Sequence, residues 1–393
     1  MKLRYKILLG IISLIMISFS VIVYLNRPIS REVTHDEINK HLRKVLDKND
    51  SLSSILLTIY SNETDYLGQF AVGTMDMFSE QPVYKNSQFH SASVGKTMCA
   101  TVFGLLVEEG KIRFDDKISH WLGDESLEGL FVIDGKDYRN QVTIEQLLRH
   151  TSGVGDFFLD PVANGKTMFE FIKENPDHVF TPQDLIAFTR DYQKPVGIPG
   201  EQFHYSDTGY ILLGLILEEI EQMTYSEILE VRIFEPLGMD DSYLMFYQDV
   251  QTDILGIYID GVDYKNKNAL SLDWSGGGIV TTMDDLLTFM MAMESGDFLS
   301  DEVYNQMKDF NEKYDKGIYY GMGMMLFDFS ELSFLLGSMS EVYGGMGSTG
   351  VYMFYDQNND TYFIANYGSL EFMEKSIEEL IKIRMIYDRM IIE

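Results

Sequence analysis

The chain has 393 residues, of which 45% are hydrophobic and 23% charged, ordinary values for a packed globular protein and foreign to a disordered or fibrous one. Its 61 acidic residues against 31 basic ones give a formal net charge of −30, which repels polyanions and excludes a nucleic-acid partner. A single cysteine, Cys99, excludes an internal disulfide framework and a cysteine-rich zinc site.

At the N-terminus, Lys2, Arg4 and Lys6 precede an uncharged, mostly apolar run from Ile7 to Leu25. As a helix this run approaches the span of a bilayer, with its positive flank in the cytoplasm and the rest of the chain facing outward. The alternative is a cleaved signal peptide, but the run is longer than a usual signal core and no small-x-small site follows it. Residues 1–26 are therefore expected to be a membrane anchor or signal sequence, and 27–393 one extracytoplasmic domain at the cell membrane.

Thr34-His35-Asp36-Glu37 has the form of a capping box, and Ile38, Leu42, Val45 and Leu46 follow at helical spacing, which predicts a first amphipathic helix. Ser54–Tyr60 and Leu67–Val72 are apolar, β-prone runs separated by Asn62, Glu63 and Asp65, a pattern for two antiparallel strands. Residues from about Lys96 to Met290 read mainly as helices and loops. Val351–Tyr355 and Thr361–Asn366 flank the turn-rich Gln357-Asn358-Asn359-Asp360, and a helical pattern from about Leu370 closes the chain. The expected fold class is α+β: an antiparallel sheet built from both chain ends, flanked by helices, with a mostly helical subdomain inserted and a cleft between the two.

Ser93-Val94-Gly95-Lys96 is an S-x-x-K sequence leading into a helix-compatible stretch that ends at Gly110. Positions i and i+3 share a helix face, so the Lys96 ammonium falls within reach of the Ser93 hydroxyl, and the helix N-terminus favours negative charge on the serine oxygen. A serine needs a base beside it, and a lysine can be that base or hold another group ionised. Because a chain of this length contains on the order of one or two such motifs by chance, the surrounding blocks must carry the reading.

Those blocks are Phe89-His90-Ser91-Ala92-Ser93-Val94-Gly95-Lys96-Thr97 running on to Leu105–Ile112, then Thr143–Gly153, Pro199–Tyr210, Ile233–Met239 and Gly276–Thr282. In that order the sequence resembles the class C β-lactamases and related penicillin-recognising serine hydrolases. The resemblance implies a β-lactamase/transpeptidase-like fold and a serine hydrolase acting through an acyl-enzyme on ester or amide substrates. Ser93 is then the nucleophile and Lys96 its partner. Tyr205 of Tyr205-Ser206-Asp207 is implied to accept the serine proton and later help activate water. A nearby ammonium lowers a tyrosine pKa, so Lys96 and Tyr205 are expected to titrate as a coupled pair.

Two positions depart from the family pattern. Asp207 stands where the family has asparagine, and its carboxylate is expected to hold Lys96 as an ammonium, which makes Tyr205 the base. The third motif, K-T-G or H-x-G in the family, is matched by Gly345-Met346-Gly347. The basic residue that holds a substrate carboxylate is missing, which argues against penicillins and D-Ala-D-Ala peptides. By the same resemblance the backbone N–H groups of Ser93 and Ser348 form the oxyanion hole. No cofactor and no metal are expected: His90, His150 and His204 lack metal spacing and read as lone packed or exposed side chains, and Cys99 reads as a small core residue. The partners are a small-molecule or peptide substrate and, through the N-terminal run, the membrane. The rival reading is a catalytically weak or inactive cell-surface binding or sensor protein of the same fold.

Overall fold

The computed structural model describes residues 27–247 and 253–391. The apolar run Ile7–Leu25 lies outside these residues, and among the described residues no helix is long and apolar enough to cross a membrane.

The first helix, α1 (Arg31–Leu46), starts a turn before the expected capping box. Ser30 is the N-cap, its Oγ accepting from the Val33 N–H at 3.4 Å. Thr34 is unavailable for capping because it lies on the buried stripe with Ile38, Leu42 and Val45, and its hydroxyl donates to Ser30 O at 3.0 Å. Strands β1 (Ser54–Ser61) and β2 (Tyr66–Gly73) form the expected hairpin, in register from Ser54 opposite Gly73 to Ser61 opposite Tyr66.

After β2 the chain leaves the main sheet. Strand β3 (Phe89–His90) joins β4 (Tyr243–Leu244) and β5 (Ile279–Thr281) in a small antiparallel sheet ordered β3-β5-β4. Between them run helices α2 (Gly95–Glu108) and α3 (Asp207–Glu221), apolar on nearly every side, as expected of helices enclosed by others. The short α4 (Trp274–Gly277) immediately precedes β5.

The chain then returns to the main sheet through β6 (Glu312–Asp315), β7 (Ile318–Tyr320), β8 (Met325–Phe327), β9 (Val342–Met346), β10 (Tyr352–Asp356) and β11 (Thr361–Asn366), and ends in α5 (Met373–Tyr387). The eight strands lie in the order β6-β7-β8-β9-β10-β11-β1-β2, every neighbour antiparallel, with Leu56 of β1 opposite Asn366 of β11. Strands from both chain ends thus pair within one sheet, as the sequence predicts.

Successive strand residues point to opposite faces, so the sheet divides the core in two. Ile55, Leu57 and Ile59 of β1 pack with Ile38, Leu42 and Ile383 of the terminal helices. Leu56, on the other face, joins the larger core of the helical insertion. One end of β9 abuts the N-terminus of α2, and this junction positions the site.

Candidate active site

Ser93 lies in a single 3-10 turn, Ala92–Val94, that runs directly into α2. The turn is held by Val94 N–H donating to Ser91 O at 3.2 Å and Ser91 N–H to Ile279 O at 2.8 Å. Lys96, one helical turn on, has a side chain only 1% exposed. Its Nζ donates to Ser93 Oγ at 3.2 Å, to Gly276 O at 2.6 Å and to Asp207 Oδ1. Three acceptors for one nitrogen match the three N–H bonds of an ammonium.

Tyr205 and Asp207 arrive from the start of α3. Ser206 caps that helix, with its Oγ accepting from the Gly209 N–H at 3.2 Å, and Asp207 is its first residue. This fixes Tyr205 outside the helix, where its hydroxyl donates to Ser93 Oγ at 3.0 Å. The structure therefore brings Ser93, Lys96, Tyr205 and Asp207 into one contact shell. The expected Asp207–Lys96 contact is present as an ion pair.

The expected lowering of the Tyr205 pKa is not found. Burial, then the Asp207 carboxylate, push the phenol well above its ordinary value, and its hydrogen bond to Ser93 only partly offsets them. The reason is local: Asp207 neutralises the ammonium that was expected to stabilise a phenolate, and enclosure disfavours the charged ring. At rest Tyr205 is a neutral hydroxyl, donating to the serine.

In the third motif, a Cβ added to Gly345 would lie 2.9 Å from Thr97 Oγ1 and 3.3 Å from Val94 Cα. Thr97 is itself committed, its hydroxyl donating to Gly323 O at 2.7 Å. Any side chain at 345 would thus meet Thr97 and Val94 at its first carbon. Met346 does not reach Ser93: it packs on the opposite core with Tyr352 and the terminal helices, because neighbouring strand residues face opposite ways. Gly347 does belong to the site, since a Cβ there would lie 2.8 Å from Ser91 O and 3.2 Å from Ser93 N. Ser348 follows it, half-buried. Neither the Ser93 nor the Ser348 amide N–H has a protein acceptor among the described residues.

Several residues of the site escape sequence reasoning. His150 stacks on the Tyr205 ring at 4.2 Å between centroids and accepts the Ser206 N–H through Nδ1 at 3.0 Å; burial holds it well below its ordinary pKa, so it is a neutral wall and not a base. Asp156, fully buried, accepts the Asp207 N–H at 2.9 Å, and burial together with Asp207 raises its pKa. His204 pairs with Asp160 at 3.0 Å. The block containing His150 was visible in the sequence; the carboxylates Asp156 and Asp160 carried no signal, being 51 and 44 residues from their partners Asp207 and His204. Cys99 is buried in α2, its thiol pushed up to about 12 by burial.

A family model, Beta-lactamase, matches residues 38–370. Penicillin-binding protein 4* of Bacillus subtilis (strain 168) is 28% identical over 204 residues, which is 52% of this chain and 41% of that protein. Penicillin-binding protein 4 of Amycolatopsis lactamdurans is 32% identical over 177 residues, 45% of this chain and 41% of the relative. The aligned part of the chain spans about two fifths of the length of these relatives. D-amino acid amidase from Ochrobactrum anthropi SV3, solved with L-phenylalanine, superposes with a TM-score of 0.74 at 22% identity over 91% of this chain and 98% of that one, a likeness of fold. From α1 to the segment that leads into α5, then, and through the junction that holds Ser93, the chain belongs to the β-lactamase family.

Proposed function

We propose that the protein is a serine hydrolase that takes an acyl group from a small ester or amide onto Ser93 and passes it to water without a cofactor. The observation that carries this reading is the convergence of Lys96 Nζ and Tyr205 Oη on Ser93 Oγ, at 3.2 and 3.0 Å, beside the N-terminus of α2. The reactive form is the one in which the coupled Lys96–Tyr205 pair has given up one proton. The Ser93 proton moves into that vacancy as Oγ attacks the carbonyl. The Ser93 and Ser348 amides receive the charge that develops on the carbonyl oxygen. The transferred proton then goes to the leaving group, and the pair repeats the cycle with water.

The close approach of Thr97 and Val94 to Gly345 supports substrates that need no basic clamp for a carboxylate, such as simple esters or amino-acid amides, over penicillins. For location, the positively flanked run Ile7–Leu25 supports an anchor in the cytoplasmic membrane with residues 27–393 outside. Protease treatment of intact cells that leaves the domain untouched would contradict that placement.

The test is intact mass spectrometry of the part after about residue 26, treated with a fluorophosphonate and, separately, a penicillin, beside Ser93→Ala. The expected result is fluorophosphonate labelling at Ser93 that is absent from Ser93→Ala, without penicillin labelling. Labelling by neither reagent would favour a non-catalytic binding protein.

A further inference from the structure

Ala92, the residue before the proposed nucleophile, sits at φ +46°, in the left-handed region that side-chain-bearing residues avoid. Such a conformation persists only where the surroundings hold it. Gly277 and His90 are among the neighbours that hold Ala92. Gly277 packs so closely that a Cβ there would lie 2.6 Å from Ala92 O. On the other side, the Ala92 N–H donates to His90 Nδ1 at 3.2 Å.

An accepting Nδ1 places the proton of a neutral imidazole on Nε2. Burial pushes the His90 pKa down to about 4, so the ring is neutral at neutral pH. Its Nε2 is enclosed, has no hydrogen-bond partner among the described residues, and faces Asp273 Oδ2 at 3.5 Å. Asp273 is the residue just before α4, the helix that supplies Gly276 O to Lys96 and Gly277 to the back of Ala92. Partial burial, with the side chain still 31% exposed, and Asp207 raise the Asp273 pKa, and Lys96 opposes them.

We infer that His90 and Asp273 are a positioning pair for the reaction, fastening the strained Ala92 turn to α4 so that Ser93 Oγ stays within reach of both Lys96 and Tyr205. Neither side chain touches Ser93 Oγ; His90 acts through the Ala92 amide, and Asp273 through the orientation of the imidazole. The inference rests on Ser93 being the nucleophile.

The rate of fluorophosphonate labelling at Ser93 reads the turn directly, with steady-state kinetics on a labelled ester beside it. His90→Asn keeps an acceptor near the Nδ1 position but cannot reach Asp273, whereas His90→Gln reaches toward Asp273 and leaves the Ala92 N–H unpaired. His90→Gln is expected to slow labelling about 100-fold, and His90→Asn and Asp273→Ala about tenfold. In all three kcat falls, KM holds and the melting temperature stays within a few degrees. Asp273→Asn, which keeps a neutral acceptor and the side-chain volume, is expected to recover most of the loss in Asp273→Ala. Wild-type labelling rates in His90→Gln and Asp273→Ala would overturn the inference. So would equal losses in both histidine variants that simply follow falling melting temperatures. Failure of the wild-type protein to label at Ser93 would remove the nucleophile reading itself, a result separable from unchanged rates in the variants.

Discussion

Asp207 stands where the family has asparagine, and one carboxylate oxygen there acts on two groups. It pairs with the Lys96 ammonium and it helps push the Tyr205 phenol up. Removing the charge should therefore lower the Tyr205 pKa and let the Lys96–Tyr205 pair release its proton more readily. In Asp207→Asn the acid limb of the kcat/KM profile is expected to move to lower pH by about one unit; a rate at or above wild type with an unmoved profile would refute this account. Gly345 invites a second substitution. Restoring a basic residue with Gly345→Lys should not bring penicillin labelling, because its Cβ meets Thr97 Oγ1 and Val94 Cα. A slower fluorophosphonate reaction is expected instead, and penicillin labelling of this single variant, seen by intact mass, would contradict the packing argument. The Ser93–Lys96 contact was legible in the sequence because i and i+3 share a helix face. The direction of the Tyr205 shift was not, because it depends on enclosure and on a carboxylate whose position relative to the ring follows from the start of α3.

At the scale of elements, the site is a junction of three short pieces: the turn before α2, the start of α3 and the tight α4–β5 connection. Gly277 shows how little room they leave. Its Cβ would strike Ala92 O at 2.6 Å and approach Ser93 N at 3.1 Å, so Gly277→Ala must displace the nucleophile turn. The expected outcome is a loss of about 100-fold in kcat with the far-UV circular dichroism unchanged, whereas wild-type kcat would show that the turn tolerates the shift. The hairpin of β1 and β2 and the pairing of β10 with β11 were readable, since apolar alternation and turn residues are local signals. The start of α1 was misplaced by a turn. Thr34 looks like a cap in sequence, but its side chain faces the core, and Ser30 is free to take that role.

In the whole molecule, the main sheet closes only when residues 54–73 meet residues 342–366, so stability depends on contacts between the chain's two ends. Arg384 fastens α5 to the C-terminal strands of that sheet. It is 1% exposed and reaches Asp356 Oδ2 of β10 at 2.5 Å and Ser340 O at 2.8 Å. Truncation would leave the buried Asp356 carboxylate without its cationic partner, held only by neutral donors from Ser340, Asn358 and Asn359. Arg384→Ala is expected to cost about 3–5 kcal/mol in denaturant unfolding, and a loss below about 1 kcal/mol would mean that the pair is dispensable.

By itself the sequence determined the antiparallel sheet from both ends, the helical insertion and the serine–lysine pair, because periodicity, turns and helix spacing act over a few residues. It also determined that the third motif has no basic side chain. Only the tertiary structure decided that Tyr205, 112 residues away, donates to Ser93. It alone placed Met346 on the far core, brought Thr97 against Gly345, and set His90 and Asp273 behind the nucleophile turn. These are facts of distance and enclosure between segments remote in the chain, and no local pattern encodes them.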